Sequence, residues 1–265
     1  MTAIARALPD LFRVGFAGIV AYRAEMTIWI LTATLPLIML ALWNAVAAEG
    51  PVAGFDQVEI ARYFAATLLV RQLTSVWLVW EMNYEIRSGR LSQKLLKPMH
   101  PLIQYAVEMI VSVPFRSVIL TPLLAALLLW RPELWKTPAP TAVALFVVSL
   151  ALAWSINFLV QAVFASFSFW VDKTDGLFGV WFAAWSLLSG YIAPLDTFPD
   201  WARQILVLLP FHGMLGLPVE ILGSFIAPGD ALPQVGLQVF WVVVLATVLA
   251  VLWRAGIRRY GAFGA

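Results

Sequence analysis

Residues Tyr84–Pro98 read YEIRSGRLSQKLLKP, a short basic stretch set between long apolar runs. It carries Arg87, Arg90, Lys94 and Lys97, four of the chain's 17 Lys and Arg residues. Ser88 or Gly89 suits a helix start, and Pro98 ends the helix. Helical spacing puts Leu91 and Leu95 one turn apart on one face and turns Arg90, Lys94 and Lys97 elsewhere. The stretch therefore predicts a short amphipathic helix that offers two leucines to something beyond the apolar runs. A basic loop that only orients its neighbours fits the same residues.

Around this stretch the composition points to lipid as the solvent. Hydrophobic residues make up 62% and charged residues 12%, with a mean hydropathy of +0.87. A soluble domain has about half its residues apolar and about a quarter charged. Thirteen Trp and 16 Pro agree, since Trp gathers at membrane interfaces and Pro is tolerated in membrane helices. A net charge of +2 gives no reason to expect a nucleic-acid partner. With no cysteine there is no disulfide or thiolate metal site, and His100 and His212 are far apart in sequence. Asp10 and Arg13 interrupt the start, which does not read as a cleaved signal peptide. The expectation is an all-α membrane protein in one domain, 1–265.

The apolar runs give its layout. Ile4, Leu8, Leu11, Phe12, Ile19 and Tyr22 follow helical spacing opposite Arg6, Asp10 and Arg13, so 4–22 predicts an interfacial helix. Some 20 apolar residues cross about 30 Å of hydrocarbon. Six stretches meet that need: 26–48, 60–82, 103–129, 141–170, 176–193 and 234–253. Between the last two, 194–233 is apolar but repeatedly broken by Pro and Gly. Helices at Asp200–Leu209 and Gly213–Phe225 would each reach only about half-way across. This predicts a re-entrant or interfacial hairpin with Pro210 at its break. Eleven Lys and Arg residues fall on the side of both termini and of Tyr84–Pro98. Arg62, Arg131, Lys136 and Arg203 fall on the other, and Arg71 and Arg116 lie within spans. The richer side is cytoplasmic by the positive-inside rule, which puts the basic stretch inside the cell and the broken hairpin outside.

No catalytic constellation is present. There is no GxxxxGK[ST] phosphate loop, no HExxH and no GxSxG elbow. Glu81 and Glu85 share a helix face and read as a solvated edge or as partners of Arg87. Arg71 and Arg116 are costly at mid-depth, by about 2.5–3.5 kcal/mol each on insertion scales. They either touch a polar or anionic part of a substrate or pair structurally with a carboxylate such as Glu108 or Glu220. Asn157 and Gln161 sit one turn apart and suit hydrogen bonds between helices.

This layout resembles the permease subunit of type-2 ABC exporters, the ABC-2 family. Glu85–Pro98 is similar to a cytoplasmic "I..G.L...LL.P" motif of one branch, and Pro194–Phe211 with Leu217–Gly223 to its external "FP.W......LPF.....P...L.G" segment. The resemblance covers nearly the whole chain. It implies that Glu85, Ile86, Arg87, Gly89, Arg90, Leu91, Lys94, Leu95, Leu96, Lys97 and Pro98 form a coupling helix, spanning 84–98, for a separate ATPase subunit. It implies a second permease copy or a sister permease, surrounding lipids, and an external gate containing Phe198, Pro199, Trp201, Pro210, Phe211, Pro218 and Glu220. Arg71, Arg116, Asn157 and Gln161 become candidates for the translocation path or the subunit interface. The permease would be non-catalytic, with no cofactor of its own, ATP and Mg being bound by the partner. It would move a hydrophobic or amphipathic substrate out of the cytoplasm or inner leaflet. A stand-alone secondary transporter or channel is the alternative, although no internal repeat or titrating acid relay is visible in the sequence.

Overall fold

The longest apolar runs become the longest helices of the computed structural model, which describes residues 23–134, 136–171 and 174–262. The interfacial helix expected at 4–22 lies outside the described residues. In chain order the helices are α1 (Arg23–Ala47), α2 (Gln57–Thr74), α3 (Leu78–Arg87), α4 (Leu91–Leu95), α5 (Pro101–Trp130) and α6 (Pro140–Ser166). They continue as α7 (Asp175–Leu188), α8 (Asp200–Leu208), α9 (Pro210–Met214), α10 (Gly216–Leu222) and α11 (Pro228–Ala262). Among the described residues there is no strand, and Val52 and Phe55 close a single antiparallel bridge.

Local chemistry sets the helix starts. Asp56 accepts from the Glu59 N–H at 2.7 Å while the Glu59 carboxylate accepts from the Asp56 N–H at 3.2 Å, a capping box for α2. α5, α6 and α9 each begin on a proline, where the missing N–H costs nothing.

α6 is the central helix. It packs along α11 and also touches α2, α3, α9 and α10. One apolar cluster joins Val79, Met82, Leu91, Tyr105 and Trp253 to its C-terminal half. A second joins Ile60, Tyr63, Phe64, Phe211 and Leu215 to its earlier turns. Pro140–Phe169 and Pro228–Tyr260 are long and apolar enough to cross a bilayer, and only 33% and 17% of their most apolar windows are buried. The core helix of a soluble protein would be mostly buried; here Val143, Val147, Val239 and Val243 face outward, which suits lipid.

Three expectations need correction; the third is Gly213–Phe225, which is not one helix but α9 and α10, parted at Leu215. The stretch 60–82 is not one helix: Ser75–Trp77 interrupts it, with Ser75 in an extended conformation. The Ser75 hydroxyl donates to the Arg71 carbonyl and accepts from Arg71 Nη1, both at 2.7 Å. The side-chain amide of Gln161 then spans the gap. Its Nε2 donates to the Val76 carbonyl at 2.8 Å, and its Oε1 accepts from the Val79 N–H at 3.2 Å. Backbone groups freed in an apolar bundle must find partners inside the protein, and this amide supplies two of them. The second correction concerns 84–98, which is not one helix either: it is the end of α3, a turn at Ser88–Arg90, and the short α4.

Replacing Gln161 by Leu orphans both backbone groups at the break, at about 1–3 kcal/mol each. Thermal unfolding in detergent micelles should show a clear drop in Tm for Gln161→Leu and almost none for Ser155→Ala, whose hydroxyl is exposed. Equal melting of the two variants would mean that the amide does not hold the break.

Candidate functional site

The turn at Tyr84–Pro98 is locked from several directions. The Ser88 N–H and hydroxyl both donate to the Tyr84 carbonyl, at 2.9 and 2.7 Å, and end α3. Gly89 follows with φ +76°, a left-handed conformation that favours glycine. The Ser92 hydroxyl returns to the Gly89 carbonyl at 2.7 Å, and its N–H donates to the Tyr260 hydroxyl of α11 at 3.2 Å.

Lys94 turns inward and is only 7% exposed. Its ammonium lies 2.7 Å from Glu108, 3.7 Å from Glu85 and 3.9 Å from Glu81. It also sits 3.8 Å from the ring centre of Tyr105, whose hydroxyl donates to Glu85. Gln104 Nε2 donates to the Lys94 and Met99 carbonyls at 3.0 and 2.7 Å. One lysine from α4 is thus held by acids from α3 and α5.

This corrects the expected faces of the stretch. Leu91 is fully buried against Val79, Met82 and Tyr105, so it is not offered outward. Lys94 follows it inward because positions three apart share a helix face and because three carboxylates wait there. Ile86 is buried and Glu85 half-buried. Leu95 is 39% and Leu96 87% exposed, beside the exposed Arg87, Arg90, Lys97 and Pro98. Arg90 lies 5.7 Å over the Tyr84 ring. The outward surface is therefore Leu95 and Leu96 among three cations. Glu81 and Glu85 serve Lys94 rather than Arg87.

Three of the polar candidates meet. Arg71, Asn157 and Gln161 line one cleft with Trp181, Trp185 and Met214. The Arg71 guanidinium sits 5.0 Å from the Trp185 ring and 5.9 Å from the Tyr191 ring, so aromatic faces rather than a carboxylate receive its charge. Glu108 and Glu220, the acids considered for it, hold Lys94 and His212 instead. Arg116 is placed within α5. Asn157 Nδ2 donates to the Met214 carbonyl at 3.2 Å, beside the joint between α9 and α10.

The broken segment from Pro194 to α10 has a buried half and an exposed half. Pro210, Phe211 and Pro218 are buried, while Phe198 is half-buried and Pro199 and Trp201 are exposed. His212 and Glu220 pair at 2.9 Å. Gly216 lies so close to the His212 ring that a Cβ there would come within 2.5 Å of it. Gln238 of α11 donates to the Gly213 and Ser149 carbonyls at 2.8 and 3.1 Å. Sequence reasoning missed Gln104, Tyr105 and Gln238; an amide in the middle of an apolar run was the available sign of the last.

A family profile described as ABC-2 family transporter protein matches residues 27–264. The chain belongs to that family. No curated protein and no solved structure matches it. This ABC-2 permease is accordingly a membrane protein of transport, with α6 and α11 its clearest membrane-crossing helices.

Lys94→Met would strand three acids around an apolar side chain. Two of those acids are more than a third exposed, so solvent softens the loss to about 1–2 kcal/mol. Trypsin should cut the purified variant faster at Arg87 and Arg90, and Glu108→Gln in the same chain should partly restore resistance. An unchanged cleavage rate would show that the lysine does not hold the turn.

Proposed function

We propose that this permease is the non-catalytic membrane subunit of an ATP-driven exporter, and that Tyr84–Pro98 is where a separate ATPase subunit docks. One observation carries the reading: a firmly held turn presents Leu96, 87% exposed, at its tip. A large side chain standing free among Arg87, Arg90 and Lys97 suits an apolar socket with an acidic rim, in which the leucine supplies affinity and the cations supply register. The sequence has no phosphate loop of its own, so ATP and Mg belong to the partner.

In this reading the chain crosses the cell membrane six times, by α1, α2 with α3, α5, α6, α7 and α11, with both termini cytoplasmic. α7 alone covers about 21 Å, and the residues up to 193 complete its crossing. α8–α10 form the external hairpin that gates exit. Two permeases, identical or sister chains, pair with two ATPases and pass a hydrophobic or amphipathic substrate outward. Movement of the ATPase would displace the turn and, through Leu91 and Lys94, would shift α3 and α5 together.

Co-expression with an ATPase carrying a Walker A loop, encoded in an adjacent reading frame, tests this. Leu96→Asp and Leu95→Asp together should leave the permease inserted and lower its ATPase co-purification at least tenfold, because both side chains are already exposed and the fold does not need them. Leu96→Ala should fall in between. Full co-purification and unchanged ATPase stimulation by the double variant would sink the proposal.

A further inference from the structure

Arg62, on the second turn of α2, is 8% exposed. Its Nε donates to the Leu134 carbonyl at 3.2 Å, and its guanidinium carbon lies 5.9 Å from the Phe225 ring centre. Its Nη1 is buried without a hydrogen-bond partner. Among the described residues no carboxylate forms an ion pair with Arg62 or Lys136. A buried cation with a free donor and no counter-charge is unfavourable as it stands.

Beside Arg62 runs a groove between α2, α5 and α10. Ala65, Ala66, Leu69 and Leu124 wall it, and Lys136 stands at its rim. Two successive alanines leave it open over about 10 Å of α2, from Arg62 to Leu69. An apolar trough ending in two cations, one of them buried and unpaired, complements an amphiphile with an acidic head.

We infer that this groove binds one anionic phospholipid, with an acyl chain along Ala65, Ala66 and Leu69 and the phosphate on Arg62 and Lys136. A zwitterionic lipid brings its own cation toward these two and binds more weakly. A free phosphate satisfies Arg62 but leaves the trough empty. The site makes no use of Tyr84–Pro98, so its failure would leave the docking proposal untouched.

Native mass spectrometry of the full chain in detergent, titrated with phosphatidylglycerol or phosphatidylcholine, tests the inference. Phosphatidylglycerol should be retained at one per chain and at least tenfold more tightly than phosphatidylcholine. Arg62→Gln and Lys136→Gln should each reduce that preference about tenfold, the usual worth of one hydrogen bond to a charged group. Ala65→Trp, which fills the trough, should release the retained lipid. Where Arg62→Gln does not purify as folded protein, the exposed Lys136 and half-buried Ala65 variants carry the test. Equal retention of the two lipids, an unchanged preference in the variants, or full displacement by millimolar inorganic phosphate would overturn it.

Discussion

Backbone hydrogen bonds that the helices themselves cannot make govern this fold. Hydrocarbon offers no water to a freed N–H or carbonyl, so each helix break needs a partner from elsewhere in the protein. The chain breaks at Ser75–Trp77 and again around α9 and α10, and at each place a carboxamide from a long helix reaches the exposed backbone. α6 supplies Gln161 to the first break and Asn157 to the Met214 carbonyl. α11 supplies Gln238 to the Gly213 carbonyl. An amide suits this task because it bonds backbone without bringing a charge, and Gln161 both donates and accepts. The same helices that show valines to the outside thus carry a polar inner edge, which explains why α6 touches so many elements.

Charge governs the other end of the bundle. Three carboxylates brought this close would repel one another, and a lysine buried this deeply would be costly alone. Together they offset each other, and α4 is oriented as a result. Successive helical residues turn by about 100°, so placing Leu91 and Lys94 inward leaves Leu96 with nowhere to point but out. The exposed leucine is therefore a consequence of the buried lysine. Gln104, bonded to the carbonyls on both sides of the turn's end, fixes the chain leaving α4 and keeps that geometry from relaxing.

The long helices were legible in the sequence because each holds an apolar run; α1, α5 and α6 follow those runs closely, whereas α11 extends past 234–253 at both ends and takes Pro233 into its first turns. The broken segment before α11 was legible in part, since Pro199 and Pro210 mark the starts of α8 and α9; the joint at Leu215, inside the expected Gly213–Phe225 helix, was not. The break at Ser75 was not, because neither Pro nor Gly marks it and its cause, Gln161, stands on another helix. Nor was the inward turn of Lys94. Counting charge treats Lys94, Arg90 and Lys97 alike, and only the meeting of Glu81, Glu85 and Glu108 in space separates them. The family profile reached the same family as the motifs and layout at the level of the whole chain, where patterning carries the information. Single side chains are decided by long-range contacts that patterning does not record.

Under the proposed function, α3 would act as a lever between two joints. At one joint Leu91 is fully buried, worth about 2 kcal/mol, and Lys94 makes a charge-assisted bond about twice as strong as a neutral one. At the other, Gln161 of α6 bonds the Val76 carbonyl and the Val79 N–H, and Val76, Leu78 and Val79 are buried. A push on the turn would be passed along α3 to the Ser75–Trp77 break. That break adjoins Arg71, and Gln161 belongs both to it and to the cleft lined by Trp181 and Trp185. Strain entering at Leu96 would then arrive at the polar cleft through α3, with no need for the long helices α6 and α11 to deform.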